Sequence, residues 1–296
     1  MSRFRSFVLL SVVSGNCLAG FTDDLNAAKQ NGPQAVAQVQ KTYSQSESAN
    51  PDFYIKLANY WFKLSQEVSI STRPAKKSDI VVADQTTGKE VGSISRQGLI
   101  DPKLAEKAPA LLSEAAKKFP NRIDIALGLS YCFREENRLP EAAEVMLGLI
   151  DAYRKAPDSF IDKEEKPLSG QEAAKSIDNA AYDTAVELYE SKEFSERTEK
   201  LGLAMADAFP KDPRPPNIIG ALAIRANDFK CAITWLEKAH AIDSSDSLVS
   251  VNLANQYLNL GKKRKAAAIA NSILDSTDEA AKEYQKDAKE ILENAK

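Results

Sequence analysis

Histidine and cysteine are scarce in this sequence: one histidine, His240, and three cysteines, Cys17, Cys132 and Cys231, in 296 residues. A standard zinc site needs about four such ligands brought together; with Cys17 in the segment read below as a signal peptide, two cysteines and one histidine remain, too few for one. His240 sits between alanines with no partner at a catalytic spacing, which leaves general acid–base work without its usual residue. Cys132 and Cys231 fall at apolar positions of different expected helices and read as small core residues rather than a disulfide. Glycine and proline are also few, 12 and 13, which disfavours a loop-rich or all-β chain. No glycine-rich nucleotide loop is present. Thr86-Thr87-Gly88-Lys89 lacks both the glycines and the following helix that a phosphate loop requires. The net charge is −3 and no basic stripe is interleaved with aromatics, so nucleic-acid binding is disfavoured. The one basic cluster, Lys262-Lys263-Arg264-Lys265, reads as a solvated turn. Adjacent carboxylates at Glu135-Glu136 and Glu164-Glu165 point in different directions and read as solvated surface. No metal, no cofactor and no catalytic residue is expected.

Apolar runs are short as well, and none reaches the roughly 20 residues of a transmembrane helix. Phe7 to Val13 is a brief apolar core behind Arg3 and Arg5, and Cys17-Leu18-Ala19 ends in a small residue. These features read as a signal peptide over 1–19, cleaved before Gly20. Export to the periplasm or the extracellular space is the expectation. A second reading makes Cys17 the acylated residue of an envelope-assembly lipoprotein anchored in the membrane. Against it, Ser14 and Asn16 stand where such a signal wants an aliphatic and a small residue.

Alanine, leucine, lysine and glutamate dominate what is present, and they favour helices. A pattern close to Ala-x3-Leu-x2-Ala recurs at fixed distance. Ala108, Leu112 and Ala115 are followed 34 residues on by Ala142, Met146 and Leu149. Ala232, Leu236 and Ala239 are followed, again 34 on, by Ala266, Ala270 and Ile273. Thr198, Gly202 and Met205 fall 34 before Ala232, Leu236 and Ala239 but match none of them. Residues four and then three apart share one helix face, and small ones there admit a close neighbour. About a dozen residues earlier stands a second signal: Leu127-Gly128 with Tyr131, Ile219-Gly220 with Ala223, Leu253-Ala254 with Tyr257. Asn137, Asn227 and Gly261 separate the paired helices and suit the left-handed conformation that ends a helix. The unit is helix, short turn, helix, turn.

A 34-residue unit with these small and large positions resembles the tetratricopeptide repeat, as found in exported bacterial proteins. The resemblance is strongest over 213–280, loose by two residues in the first helix of 123–156, and poor over 179–212. Phe53 to Gln66, with Leu57, Ala58 and Trp61, supplies a first helix for the second helix within 101–120. The implied fold class is all-α: a solenoid of helix-turn-helix repeats with a small β-hairpin insertion. The insertion lies at about 67–100, where Ile80-Val81-Val82 and Val91-Gly92-Ser93-Ile94 flank a Gly-containing turn. A lone hairpin is marginal, so it should pack on the helices or take Val68 to Thr72 as a third strand. The expected organisation is a helical region over 20–156, a loop at 157–170 and a second helical region over 171–296 that ends in one charged capping helix from about Ser276.

The resemblance also implies a function. In similar proteins the first helix of each unit lines a concave groove that holds a peptide or a partner's helix. Projected onto this register, the groove residues are Tyr131, Arg134, Asn217, Ala221, Arg225, Asn255 and Asn259. Asparagine both donates to and accepts from a partner backbone, and arginine clamps carboxylates. The expectation is a non-catalytic interaction scaffold of the cell envelope with a protein or peptide partner. The alternative is an accessory enzyme subunit with its chemistry in the insertion, where Asp79, Asp84 and Glu90 are the available acids.

Overall fold

The computed structural model describes residues 20–71, 80–83, 89–99 and 102–296. The expected signal peptide with Cys17, and Asp79, Asp84 and Thr86-Thr87-Gly88 of the insertion, lie outside the described residues. The chain divides into two compact units between Leu57 and Ala58.

The first unit contains α1 (Phe21–Gln30), α2 (Pro33–Tyr43) and the start of α3 (Pro51–Ser65). Phe21, Leu25 and Ala28 fall on one face of α1 and are buried, as the spacing of four and three requires. Gly32 turns the chain between α1 and α2 at φ 90°, a conformation glycine adopts without steric penalty. The Phe21 ring packs 5.6 Å from that of Tyr43 and 5.0 Å from that of Phe53. The Tyr43 hydroxyl donates to Asp24 at 2.6 Å.

The second unit opens on the remainder of α3, where Ala58 and Trp61 are buried. A three-stranded antiparallel sheet follows: β1 (Gln66–Ser71), β2 (Ile80–Ala83) and β3 (Glu90–Leu99) in the order β1-β3-β2. The hairpin register sets Ile80 opposite Ile94, Val81 opposite Ser93 and Val82 opposite Gly92. The third strand resolves the alternatives for the insertion: β1 pairs with the other edge of β3, Ile70 opposite Ile94. β3 runs on to Leu99 because it is the shared central strand and must reach both neighbours.

The helices then come in order: α4 (Pro102–Ala105), α5 (Lys107–Lys118), α6 (Ile123–Glu135), α7 (Leu139–Lys155), α8 (Gly170–Glu190), α9 (Ser195–Ala208), α10 (Arg214–Arg225), α11 (Phe229–Ile242), α12 (Ser247–Asn259), α13 (Lys263–Leu274), α14 (Glu279–Lys282) and α15 (Gln285–Asn294). Each packs on the next from α5 through α13. The Lys107 ammonium lies 3.7 Å from the centroid of the Trp61 ring, placing α3 beside α5. The repeat triads are the buried faces of α5, α7, α9, α11 and α13. The unit placed by spacing alone sits where the spacing put it, and its unlike residues have local reasons. Thr198 satisfies its buried hydroxyl on the Phe194 carbonyl at 2.9 Å. A Cβ at Gly202 would come 3.0 Å from Ile219 Cγ1, so α9 and α10 meet closely there and a larger residue would press on the Ile219 side chain. Asn137, Asn227 and Gly261 adopt φ of 56°, 60° and 67° at the hairpin turns.

The stretch 156–170 is knitted into the same core. Ile161 donates its amide to Asn121 and Ile123 donates to Ile161. Phe160 is 1% exposed within an apolar cluster drawn from α6 to α10. The charge run turns around Asp162, whose carboxylate accepts from the amides of Glu164 and Lys166 at 2.8 and 2.9 Å. Those bonds hold the Asp162 carboxyl below the usual range. Ser169 and Glu172 then form a reciprocal capping box that starts α8, the pairing that satisfies two orphan helix amides at once.

Three expectations need correction. The charged C-terminal helix is two helices, α14 and α15, broken at Glu283 and Tyr284; Ala288 and Ile291 are its buried face on α13. Glu136 is not solvated surface. Its side chain is 2% exposed beside Arg138, and burial raises its carboxyl above the usual range. Cys231 is half-buried rather than core and lines a cavity of about 480 Å³ between α9 and the α10–α11 turn. Cys132 is buried, and burial pushes its thiol up to about 12, which leaves it inert as a nucleophile.

Candidate groove on the first-helix face

The first helices of successive hairpins share a burial code. In the later part of α12 the buried residues are Leu253-Ala254 and Gln256-Tyr257; in that of α10, Ile219-Gly220 and Leu222-Ala223. In α6 the matching pairs are Leu129-Ser130 and Cys132-Phe133, not the Leu127-Gly128 pair of the sequence. The two-residue looseness is thus a real offset in register. In α8 the code falls on Thr184-Ala185 and Leu188. The residue in the middle of each code faces away from the second helices. It is Tyr131, Val186, Ala221 and Asn255.

Different chemistry links these helices. Between α6 and α8, Arg134 Nε donates to Glu187 at 3.0 Å and its guanidinium lies 3.6 Å from Asp183. Between α8 and α10, Arg214 donates to Asp178 at 2.9 Å and to Asn179 at 3.1 Å, and it stacks 4.6 Å over the Tyr182 ring. Arg225 stacks 4.2 Å over Tyr189 and donates to the Tyr189 carbonyl, so it caps the C-terminus of α8. A cation suits that end of the helix dipole. Between α10 and α12, Asn252 Nδ2 donates to Asn217 Oδ1 at 3.1 Å.

A cavity of about 360 Å³ opens where these helices meet. α8 contributes Tyr182, Val186 and Tyr189 to its wall, α10 contributes Asn217, Ile218, Ala221 and Ile224, and α12 contributes Leu248 and Asn252. Leu248 stays 39% exposed at its edge. Burial raises the Tyr182 phenol above its usual range.

The projected residues therefore divide. Asn217 and Ala221 line the cavity. Arg134 and Arg225 are held by Glu187 and by Tyr189, as clamps between helices. Tyr131 is 45% exposed on α6, with its ring 5.7 Å from that of Phe62. Asn255 and Asn259 are exposed on α12, Asn259 donating to Gln256 at 3.1 Å. Tyr182, Val186, Tyr189, Leu248 and Asn252 also line the cavity and were not projected from the register. The signal for the α8 residues was there: Thr184-Ala185 precedes Ile219-Gly220 by one residue more than the 34-residue period, and a one-residue allowance finds it. His240 accepts or donates a hydrogen bond with Ser250 at 3.2 Å across α11 and α12.

No family model matches the chain, and no curated protein matches it. Among solved structures, the chain is similar to MamA 41-end from Desulfovibrio magneticus RS-1 at 16% identity, covering 58% of this chain and 85% of that one, with a TM-score of 0.38. It is also similar to TTC0263, a thermophilic TPR protein in Thermus thermophilus, at 16% identity over 64% and 92% with a TM-score of 0.38. Pseudomonas aeruginosa pilF gives 14% identity over 64% and 81%, TM-score 0.38. The fold assignment rests on the hairpins themselves. Their common period, small buried faces and left-handed turns make this a tetratricopeptide-like fold.

Proposed function

We propose that the protein is a non-catalytic scaffold that holds an extended segment of a protein partner on the face of α8, α10 and α12. The observation that carries this reading is the Asn217–Asn252 pair on an apolar wall. Their mutual bond uses one group of each amide. It leaves Asn217 Nδ2 as a donor and Asn252 Oδ1 as an acceptor with no protein partner among the described residues. Flipping both amides leaves the same tally. One donor beside one acceptor is what a peptide unit requires. The tyrosines and Leu248 around it suit an apolar side chain next to that unit.

Export rests on Arg3, Arg5 and the short core Phe7 to Val13. With export, the binding is periplasmic or extracellular. Mass spectrometry of the secreted form should find Gly20 at its start; an acylated Cys17 would replace that with a membrane-anchored form.

The groove is tested with a random peptide library displayed on phage and selected on the purified protein. A selected peptide should bind the Asn252→Ala and Leu248→Asp variants roughly tenfold more weakly, the loss of about one hydrogen bond or one apolar contact. Circular dichroism should be unchanged. Wild-type affinity in both variants sinks the groove.

A further inference from the structure

The junction of α8 with the head of α10 contains more buried negative charge than positive. Asp178 on α8 is 9% exposed, and the side chain of Asp212, in the turn before α10, is 11% exposed. Arg214 lies between them, 2.9 Å from Asp178 Oδ2 and 2.8 Å from Asp212 Oδ2. Asp178 Oδ1 is sealed from solvent with no protein partner in hydrogen-bond geometry if both carboxyls are ionised. The two carboxyl groups meet the same nitrogen of the Arg214 guanidinium, which makes them close neighbours. One guanidinium cannot neutralise two buried carboxylates, and an uncompensated buried anion costs several kcal/mol. A proton held between the carboxyls removes that charge.

Among the described residues the surroundings do not supply a second cation within ion-pair distance. Lys175 on α8 and Lys211 in the turn line the adjoining cavity of about 870 Å³ with Tyr153 of α7. Neither lysine is within ion-pair distance of Asp178 or Asp212. Tyr182, one turn on along α8, lies under Arg214. Asp246, at the start of α12, adds further negative charge near that ring.

We propose that Asp178, Asp212 and Arg214 form a proton-operated latch between α8 and the head of α10, closed by one proton shared between the carboxyl groups. Burial first, then the hydrogen bond to Asp212 and the repulsion from its charge, push the Asp178 carboxyl up to about 7. Burial works against ionisation of Asp212 too, but hydrogen bonds from Arg214 and Asp178 hold it below the usual range. The closed junction thus binds the proton more tightly than an open one, whose carboxyls titrate near 4. Opening becomes roughly tenfold easier per pH unit between about 5 and 7 and levels off above that. Arg214 carries the effect to Tyr182, and Asn217 follows within a turn of α10. The consequence for ligand binding rests on the groove reading; the latch does not.

Hydrogen exchange of the full chain measures the latch directly. Corrected for intrinsic rate, the amides of Asn217 to Ala221 should exchange roughly tenfold faster per pH unit from pH 5 to 7 and then plateau. Asp178→Asn keeps the shape without the titration and should be flat over that range. Carboxyl-carbon NMR of the wild type needs no variant and should show one aspartate titrating near neutrality. Both carboxyls titrating below pH 5, or the same slope in Asp178→Asn, overturns the latch. With a selected peptide, affinity that falls from pH 5 to 7 in wild type alone ties the latch to the groove. A working latch with pH-independent affinity overturns only that tie.

Discussion

Two neighbouring junctions in this molecule solve one packing problem with opposite chemistry. α8 meets α10 through a guanidinium between two carboxyls, whereas α10 meets α12 through two neutral amides. The charged junction directs its hydrogen-bonding capacity inward, because a buried ion must be surrounded by partners. The amide junction is held by the Asn252–Asn217 bond and keeps a donor and an acceptor without a protein partner among the described residues. A surface that must receive a ligand is better built from the second kind, and the cavity of about 360 Å³ opens beside it.

α10, which belongs to both junctions, packs on α11, so the largest effect comes from breaking that contact. Ala232 is 0% exposed, and Ala232→Arg should overpack the contact and bury an unpaired charge, costing about 3–5 kcal/mol in urea unfolding. Lys262→Arg, on an exposed turn, should cost almost nothing and serves as the reference; equal midpoints refute the register. Next comes the charged junction. Arg214→Ala leaves two carboxyls unpaired and should cost about 2–3 kcal/mol at pH 8. The loss should be smaller at pH 5.5, where the raised Asp178 carboxyl is protonated and only one anion needs a partner. A pH-independent loss counts against the charge account. Gly220→Ala should be destabilising by about 1–2 kcal/mol, since its Cβ would lie 2.8 Å from Leu236 Cγ, and overpacking outweighs a helix-propensity gain of about 1 kcal/mol. Gly128→Ala meets only Leu112 Cδ1 at 3.8 Å and should stabilise instead, so opposite signs in calorimetry sharpen the difference between α10 and α6. At the small end, Asn255→Ala should shift stability by under about 0.5 kcal/mol, and any larger change in the melt means Asn255 packs against a neighbour rather than lying exposed.

The second helices were legible because their signal is local. Three small buried residues within two turns specify a face, and repetition at one period specifies that the face is used in the same way each time. The signal survived even at Thr198, Gly202 and Met205, where no residue type matched. α6 shows the limit. Leu127-Gly128 mimics the Ile219-Gly220 pair, yet the buried pair is Leu129-Ser130. A shift of two residues turns a helix by roughly 200°, so only the neighbours decide which pair goes inside. Arg134 and Arg225 show it again. Their spacing puts them on the open face, but each side chain is long enough to reach α8, where Glu187 and the Tyr189 carbonyl hold it.

The sequence by itself determined the helical hairpins, their period and their left-handed turns, since each depends on residues within a few turns of one another. Tertiary structure decided the cavity between the first helices. Its wall is assembled from α8, α10 and α12, about 35 residues apart in the chain. Whether a polar side chain meets a ligand or the next helix depends on reach and on charge balance at the junction, and neither is written in the periodicity of any one helix.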